Sequence, residues 1–316
     1  METGWTDWNR SLGFLDLEAC PSEIRLAALP SCPLIGLGGP AHPLAGSLDA
    51  VVEAPVSAEA LIRQCERSPR AAVVAVQLLR SLEGVPRDRA LTLESLCYGL
   101  LQGSAEHSEW LASRTTPAQR LPAGRLVVER HDSTLLVVMD RPGVHNAIDR
   151  AMRDQLFDAF SLAVLDTEIQ TVKLRAVGAV FSTGGDLDEF GTTRDPAMAH
   201  LIRSRTLPAM AIAPRAEILD VHVQGACIGA GLEIAALAGR LTAEPDAWFQ
   251  LPELSMGLIP GAGGCVSVPR RIGRQRAALM ILSGRRINSQ AALRWGLIDA
   301  IVSHQSGSQP ATPLSR

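Results

Sequence analysis

From Arg125 to Asp140 the chain carries two short apolar runs rich in valine and leucine, RLVVER (125–130) and TLLVVMD (134–140). They flank His131–Asp132–Ser133, so the pattern predicts two paired strands around a tight turn. Asp149 then stands as an N-cap before a segment of helical spacing that runs to about Asp166. Further strands are predicted at TVKLRAV (171–177), ILDVHV (218–223) and Trp248–Leu251, with helical stretches ending near Arg205 and over LEIAALAG. Strands alternating with helices in this way predict an α/β domain with crossover connections.

The front of the chain is patterned differently. CPLIGLG (32–38) and LDAVVEA (48–54) are each short enough for a buried strand, and residues 57–82 have helical spacing interrupted where Ser68 precedes Pro69. A further helix, LTLESLCYGLLQGSAEHSEWLASR, places Leu93, Leu96, Leu100 and Leu101 on one face, and an apolar face must pack somewhere. Nothing in residues 1–120 carries recognisable chemistry. RTTPAQRLPAG (114–124) collects Thr, Pro and Gly and is predicted to be a connection. The expected organisation is therefore an α/β but largely helical extension over 1–120, an α/β domain over 121–303 and a polar tail over 304–316.

Composition narrows the function. With 47% hydrophobic and 20% charged residues the chain is expected to be an ordinary globular protein. A net charge of −3 and a pI near 6.2 give no electrostatic reason to expect nucleic acid or an anionic membrane as partner. Lys173 is the only lysine, so nearly all positive charge is arginine. The six cysteines are scattered with no metal-ligand spacing, which suits reduced thiols in the cytoplasm. No run approaches the roughly 20 apolar residues of a membrane span, and METGWTDWNR does not resemble a signal peptide, so a soluble, intracellular protein is expected.

Two glycine-rich turns, STGGD (182–186) and QGACIGAG (224–231), each follow a strand. Without bulky side chains, the amides of Gly185 and Ala230 can face a cleft and together hold a developing oxyanion. Glu233 lies three residues beyond Ala230 on the same side of the following helix, and a second acid, Glu253, precedes MGLIPGAGG (256–264). Paired carboxylates around one reacting carbon can activate water and deliver a proton. The competing reading is that Glu233 merely compensates a helix dipole and that the glycines serve only the fold. GACIGAG is not the dinucleotide fingerprint, and no phosphate-binding GK[ST] occurs.

Taken together, RPGVHNAID (141–149), FSTGGDLDEF (181–190), VQGACIGAGLEIAALAGRLTAEPDAWFQLPELSMGLIPGAGG (223–264) and RRIGRQRAALMILSGRRINSQAALRWGLIDAIV (270–302) closely resemble the crotonase (enoyl-CoA hydratase/isomerase) superfamily in order and spacing. The resemblance covers about residues 124–303 and implies a crotonase-like ββα spiral core. It also implies an acyl-CoA substrate, with no separate cofactor because the substrate carries coenzyme A, and a homotrimer or hexamer. The family's oxyanion-hole amides fall on Gly185 and Ala230, and its two hydratase glutamates on Glu233 and Glu253. Its CoA path runs past the turn Gly143–Ala147 and the loop Gly185–Asp188. Arg141, Gly143, His145, Ala147, Asp186, Leu187 and Asp188 are therefore the candidate contacts. Arg141 can equally be a solvated strand-end charge, and a lone loop histidine such as His145 is more often structural than catalytic.

The chain departs from the family pattern in three ways. Ala230 replaces a commoner glycine, which puts acyl specificity in doubt. Past GLIDAIV (296–302) only a short polar stretch follows, where ordinary hydratases continue into helices that cover the CoA pocket. The long front extension resembles that of the dihydroxyphenylacetyl-CoA dioxygenase branch, a cofactor-free oxygenase. Hydration of a 2-enoyl-CoA is the leading expectation. Isomerisation, thioester hydrolysis or oxygenation of an aryl- or polyketide-type acyl-CoA, and a catalytically silent scaffold are the alternatives.

Overall fold

The computed structural model describes residues 11–114 and 122–303; the first ten residues, most of the expected connection at 114–124 and the expected polar tail lie outside the described residues. At the front, β1 (Gly13–Asp16), β2 (Leu34–Leu37) and β3 (Ala50–Val51) form a parallel sheet in that order. LDAVVEA thus contributes only a two-residue strand, and β1 is too short to stand out in the sequence. Next come α1 (Ala58–Arg67) and α2 (Pro69–Ser81), then α3 (Arg87–Gln102) and α4 (Ala105–Ala112). Ser57 caps α1 by accepting from the Ala60 amide, and Pro69 opens α2 at the interruption seen in the sequence. The single helix expected over 91–114 is divided at Gly103, because Ser104 caps α4 by accepting from the His107 amide.

The predicted leucine face of α3 is corrected by the structure. Leu93 and Leu96 are exposed and Leu100 retains 66% of its accessible surface, while Leu101 is buried. The face turned inward carries Glu94 and Ser95, both buried, with Tyr98 one turn further on. Spacing alone favoured the leucines; α3 buries Ala90, Leu91 and Leu101 in the core with a polar stripe beside them.

The rest of the chain begins with the antiparallel hairpin β4 (Arg125–His131) and β5 (Thr134–Asp140), whose turn holds Asp132 at φ 52°. α5 (Arg150–Leu165) starts where Asp149 accepts from the Met152 amide. β6 (Thr171–Ala176), α6 (Pro196–Thr206), α7 (Pro208–Ile212), β7 (Leu219–Val223), β8 (Ala226–Ile228) and α8 (Ala230–Ala235) follow. Then come β9 (Arg240–Ala243), β10 (Trp248–Gln250), α9 (Gly264–Ser283), β11 (Ile287–Asn288), α10 (Ser289–Trp295) and β12 (Ala300–Ile301). α9 is interrupted at Gly273, whose φ of 80° is not helical.

Six strands form one sheet in the order β12-β9-β7-β6-β5-β4, parallel except for the β4–β5 pair, and β11-β10-β8 form a second. Successive passes of the chain give one strand to the large sheet, one to the small sheet and then a helix: β7, β8, α8, followed by β9, β10, α9. This is the crotonase-like ββα spiral, and it brings the starts of α8 and α9 together.

The front helices share this core rather than forming their own. Leu61, Ala72, Leu79 and Leu91 belong to the same buried cluster as Leu251, Leu258, Val268 and Met280. Polar ties cross the same boundary: Arg87 donates to the Ala213 carbonyl at 2.8 Å, and Arg276 spans both oxygens of Glu53 at 2.8 and 2.9 Å. Among the described residues, only the front sheet of β1, β2 and β3 has a separate cluster beside it, around Leu17, Leu34, Leu44 and Leu48.

A shared core should melt as one. Urea unfolding followed by tryptophan fluorescence, which reports on Trp110 in front and Trp248 and Trp295 behind, is expected to coincide with loss of circular dichroism in a single transition. Leu91→Ala, at a fully buried position of that core, is expected to lower the stability of the whole by about 2–5 kcal/mol. A transition that splits in two, with only one half moved by Leu91→Ala, contradicts the shared core.

Candidate active site

The two glycine-rich turns meet at the top of the spiral. Ile148 donates to the Gly184 carbonyl at 2.7 Å and accepts from the Asp186 amide at 2.9 Å, a parallel bridge that turns the N–H of Gly185 away from Ile148. Ser182 and β8 exchange two bonds, from Ser182 to the Ala226 carbonyl and from Ile228 to the Ser182 carbonyl. These bonds draw the first turn against the second. Gly184, at φ 89°, is needed at the contact: a Cβ there would lie 2.8 Å from the Ile228 carbonyl oxygen and 3.3 Å from the Ala230 nitrogen. Gly185 and Ala230 both line one cavity of about 230 Å³, and among the described residues neither amide has a hydrogen-bond partner. Free donors facing a cavity are equipped to receive an oxygen from a ligand.

Two acids reach the same cavity. Glu233, 2% exposed in the first turn of α8, accepts through Oε2 from the amides of Ala262 at 2.6 Å and Gly264 at 2.8 Å. Burial pushes its carboxyl up to about 7, against the pull of those two amides. Glu253 opens the 3-10 turn Glu253–Met256 and is 8% exposed. Its Oε2 is buried with no partner among the described residues. An unpaired buried neutral group costs about 1–3 kcal/mol and a bare charge considerably more, so the protonated form is the stable one. Burial first, and the charge of Glu233 second, push this carboxyl well above the ordinary range. The two acids thus differ in kind: Glu233 loses its proton near neutrality, and Glu253 keeps it.

The remaining predicted residues divide. Asp186 lines the cavity and caps the turn Leu187–Glu189; Gly143, His145, Ala147, Leu187 and Asp188 are not among its lining. Arg141 is corrected more sharply. It is 7% exposed, bonded to Asp186 at 2.7 Å, 3.5 Å from Asp149, and donates to the carbonyls of Pro122 and Ala147. A buried guanidinium with two carboxylates is a brace between β5 and the loops beside the cavity, and is neither a solvated charge nor free for a phosphate. Among the described residues no cluster of His, Cys, Asp or Glu is arranged to hold a metal ion, and no helix is long and apolar enough to cross a membrane.

Sequence reasoning missed the wall that α3 and α6 build. Tyr98 and Gln102 of α3 and Arg203 of α6 line the cavity. Arg203 donates to Ser95 Oγ at 2.9 Å, to the Ser95 carbonyl at 2.9 Å and to Gln102 Oε1 at 2.7 Å, and stacks 4.6 Å from the centre of the Tyr98 ring. One turn before Tyr98, the fully buried Glu94 accepts from the amides of Gly263 at 2.7 Å and Cys265 at 2.8 Å. The signal was the spacing Glu94, Tyr98, Gln102, a polar stripe at one residue per turn within a leucine-rich helix. Residues 1–120, in which the sequence showed no recognisable chemistry, thus supply part of the cavity wall.

Residues 129–311 match the family model described as enoyl-CoA hydratase/isomerase. The 2,3-dehydroadipyl-CoA hydratase of Escherichia coli K12 is 32% identical over 176 residues, which span 56% of this chain and 68% of that protein. Among solved structures, an enoyl-CoA hydratase from Thermoplasma volcanium aligns with a TM-score of 0.50 at 34% identity, covering 57% of this chain and 72% of the other. An enoyl-CoA hydratase/isomerase from Marinobacter aquaeolei aligns with a TM-score of 0.52 at 27% identity, covering 57% and 70%.

Gly229 holds the second turn in place beside Glu253. Its φ is 48°, and a Cβ on it would lie 2.6 Å from Glu253 Oε1. Gly229→Ala is therefore expected to destabilise the chain by roughly 1–3 kcal/mol in chemical denaturation. Gly143→Ala, where a Cβ meets nothing within 4 Å, should change stability by less than about 0.5 kcal/mol. Equal effects would show that the strain is not specific to the second turn.

Proposed function

Because the chain belongs to the enoyl-CoA hydratase/isomerase family, we propose that it hydrates a 2-enoyl-CoA, with Glu233 as base, Glu253 as acid, and the amides of Gly185 and Ala230 as the oxyanion hole. The observation that carries this reading is the pair of buried carboxyls, one holding two amide donors and the other with a bare buried oxygen, lining one cavity with two unpartnered amides. The thioester oxygen accepts from both amides, which stabilise the enolate as charge moves onto it; one such donor contributes about 10²–10³ in rate. Both acids hold the water. As its oxygen bonds carbon 3, Glu233 takes a proton from it, while Glu253 gives its proton to carbon 2. Both groups act from one side, so addition is syn. The product is a 3-hydroxyacyl-CoA, and transfer of the proton from Glu233 back to Glu253 completes the cycle.

Coenzyme A arrives with the substrate, passing the Gly143–Ala147 turn and the Gly185–Asp188 loop. With Arg141 engaged elsewhere, Arg150 and Arg153, cations of α5 that line the cavity, are the candidates to face its phosphates. The Ala230 methyl narrows the slot beside the thioester. Isomerisation of a 3-enoyl-CoA would use the same groups. A cofactor-free oxygenase acting on an aryl- or polyketide-type acyl-CoA is supported by the long front extension, and the two acids favour hydration over it. A homotrimer or hexamer is supported by the apolar residues that α3 and α6 leave exposed, Leu93, Leu96, Leu100, Met198 and Leu201.

A panel of 2-enoyl-, 3-enoyl- and aryl-acyl-CoA esters, with and without oxygen, tests the reading by mass spectrometry. Gain of one water by a 2-enoyl ester is expected; oxygen uptake or release of CoA in its place contradicts it. Glu233→Gln and Glu253→Gln are each expected to lower kcat at least about a hundredfold while a saturated acyl-CoA binds normally. Either variant retaining most of its turnover would exclude this mechanism.

The pH profile follows from the two carboxyls. The base works ionised, so kcat/KM is expected to rise with pH through about 7 as Glu233 loses its proton. The acid works protonated, so the rate should fall again at higher pH as Glu253 loses its own. A profile that stays flat from pH 5 to 8 would count against Glu233 as the base.

A further inference from the structure

The amides of residues 262–265, entering the first turn of α9, point toward two carboxylates from different parts of the chain. Ala262 and Gly264 donate to Glu233 of α8; Gly263 and Cys265 donate to Glu94 of α3. The four bonds measure 2.6–2.8 Å and alternate strictly between the two acids. The peptide that orients the Glu233 carboxylate is therefore itself held by Glu94. Each Glu94 oxygen receives one N–H, which is the pattern a carboxylate makes.

Burial first and the charge of Glu233 second push the Glu94 carboxyl well above the ordinary range, against the weaker pull of its two amides and of Arg203, which is bonded to Ser95 beside it. The titratable groups around Glu233 can be named element by element. The 3-10 turn brings Glu253, α3 brings Glu94, Cys97 and Tyr98, α9 brings Cys265, and α6 brings Arg203. Burial pushes Tyr98, Cys97 and Cys265 toward their neutral forms, and Glu253 keeps its proton. Glu94 is pushed the same way, so what it transmits to Glu233 is the placement of the shared amides.

We propose that Glu94, supplied by the front extension, is a positioning residue of the active site: it fixes the 262–265 amides on which Glu233 is oriented. Glu94 lies behind the acid pair and touches the reaction only through Glu233. The inference rests on Glu233 being the base of the proposed hydration, but the setting of its carboxyl can be read without turnover.

The test is Glu94→Gln in the full chain, with the Glu233 carboxyl followed by infrared titration and its band identified by its loss in Glu233→Gln. In Glu94→Gln the amides that favour ionised Glu233 are no longer held by a carboxyl, so the Glu233 midpoint is expected to rise. The acid limb of kcat/KM should move up with it, and kcat should drop about tenfold with KM changed less than about threefold. Glu94→Asp, which keeps both carboxyl oxygens on a shorter arm, should leave the midpoint nearer its original place and restore part of kcat. A midpoint that does not rise in Glu94→Gln overturns the proposal, because a purely structural bond would lower kcat without moving the titration. If the midpoint rises while no ester of the panel is hydrated, the positioning stands and the hydratase reading is what fails. If Glu94→Gln does not fold, Glu94→Asp decides: its shorter arm must lower kcat at nearly unchanged KM, and full turnover overturns the proposal.

Discussion

Four consecutive backbone amides at the entry to α9 are the structural hinge of this molecule. Helix starts leave such donors unsatisfied, and here they are satisfied by carboxylates whose own elements lie far apart in the chain. Packing α8 beside α9 places one acid, and docking α3 across them places the other. Neither carboxyl is tolerable so far from water without those donors, and the donors would be equally costly without the carboxyls. The site and the seam between the two parts of the chain are thus held by the same bonds.

This arrangement explains why the acids of the cavity differ. Glu233 has two donors on one oxygen and can bear a charge, whereas Glu253 has a buried oxygen with no donor and is stable as the neutral acid. Residue type is the same; the count of available N–H groups separates a carboxyl that can ionise from one that is stable as the neutral acid. Gly229 carries the corresponding constraint on the backbone side, since only a residue without a side chain can pass Glu253 at that distance.

How much of this was legible in the sequence depended on the range of the interaction. The β4–β5 hairpin, the cap at Asp149 and the glycine turns are local, set by patterns a few residues long, and they lie where the pattern puts them. The resemblance to a family covered the ββα spiral and pointed to Gly185, Ala230, Glu233 and Glu253, which the fold gathers around one cavity. Arg141 was misjudged because its partners, Asp149 and Asp186, come from two loops that only the folded chain brings together. The inner face of α3 was misjudged because leucine spacing normally marks the buried side. Here the buried side faces an active-site wall, and Glu94 finds its donors 169 and 171 residues away.

That separation also sets an order of events during synthesis. α1 and α2 pack on α9, which is made some 200 residues later. At typical ribosomal rates of about 5–20 residues per second, the front helices wait on the order of ten seconds or more for the surface that buries them. Throughout that interval their apolar faces are open to other nascent chains, and Glu94 waits for the amides that receive it. The late arrival of α9 dehydrates all of them in one step, so the newborn chain should depend on chaperones more than its modest size suggests.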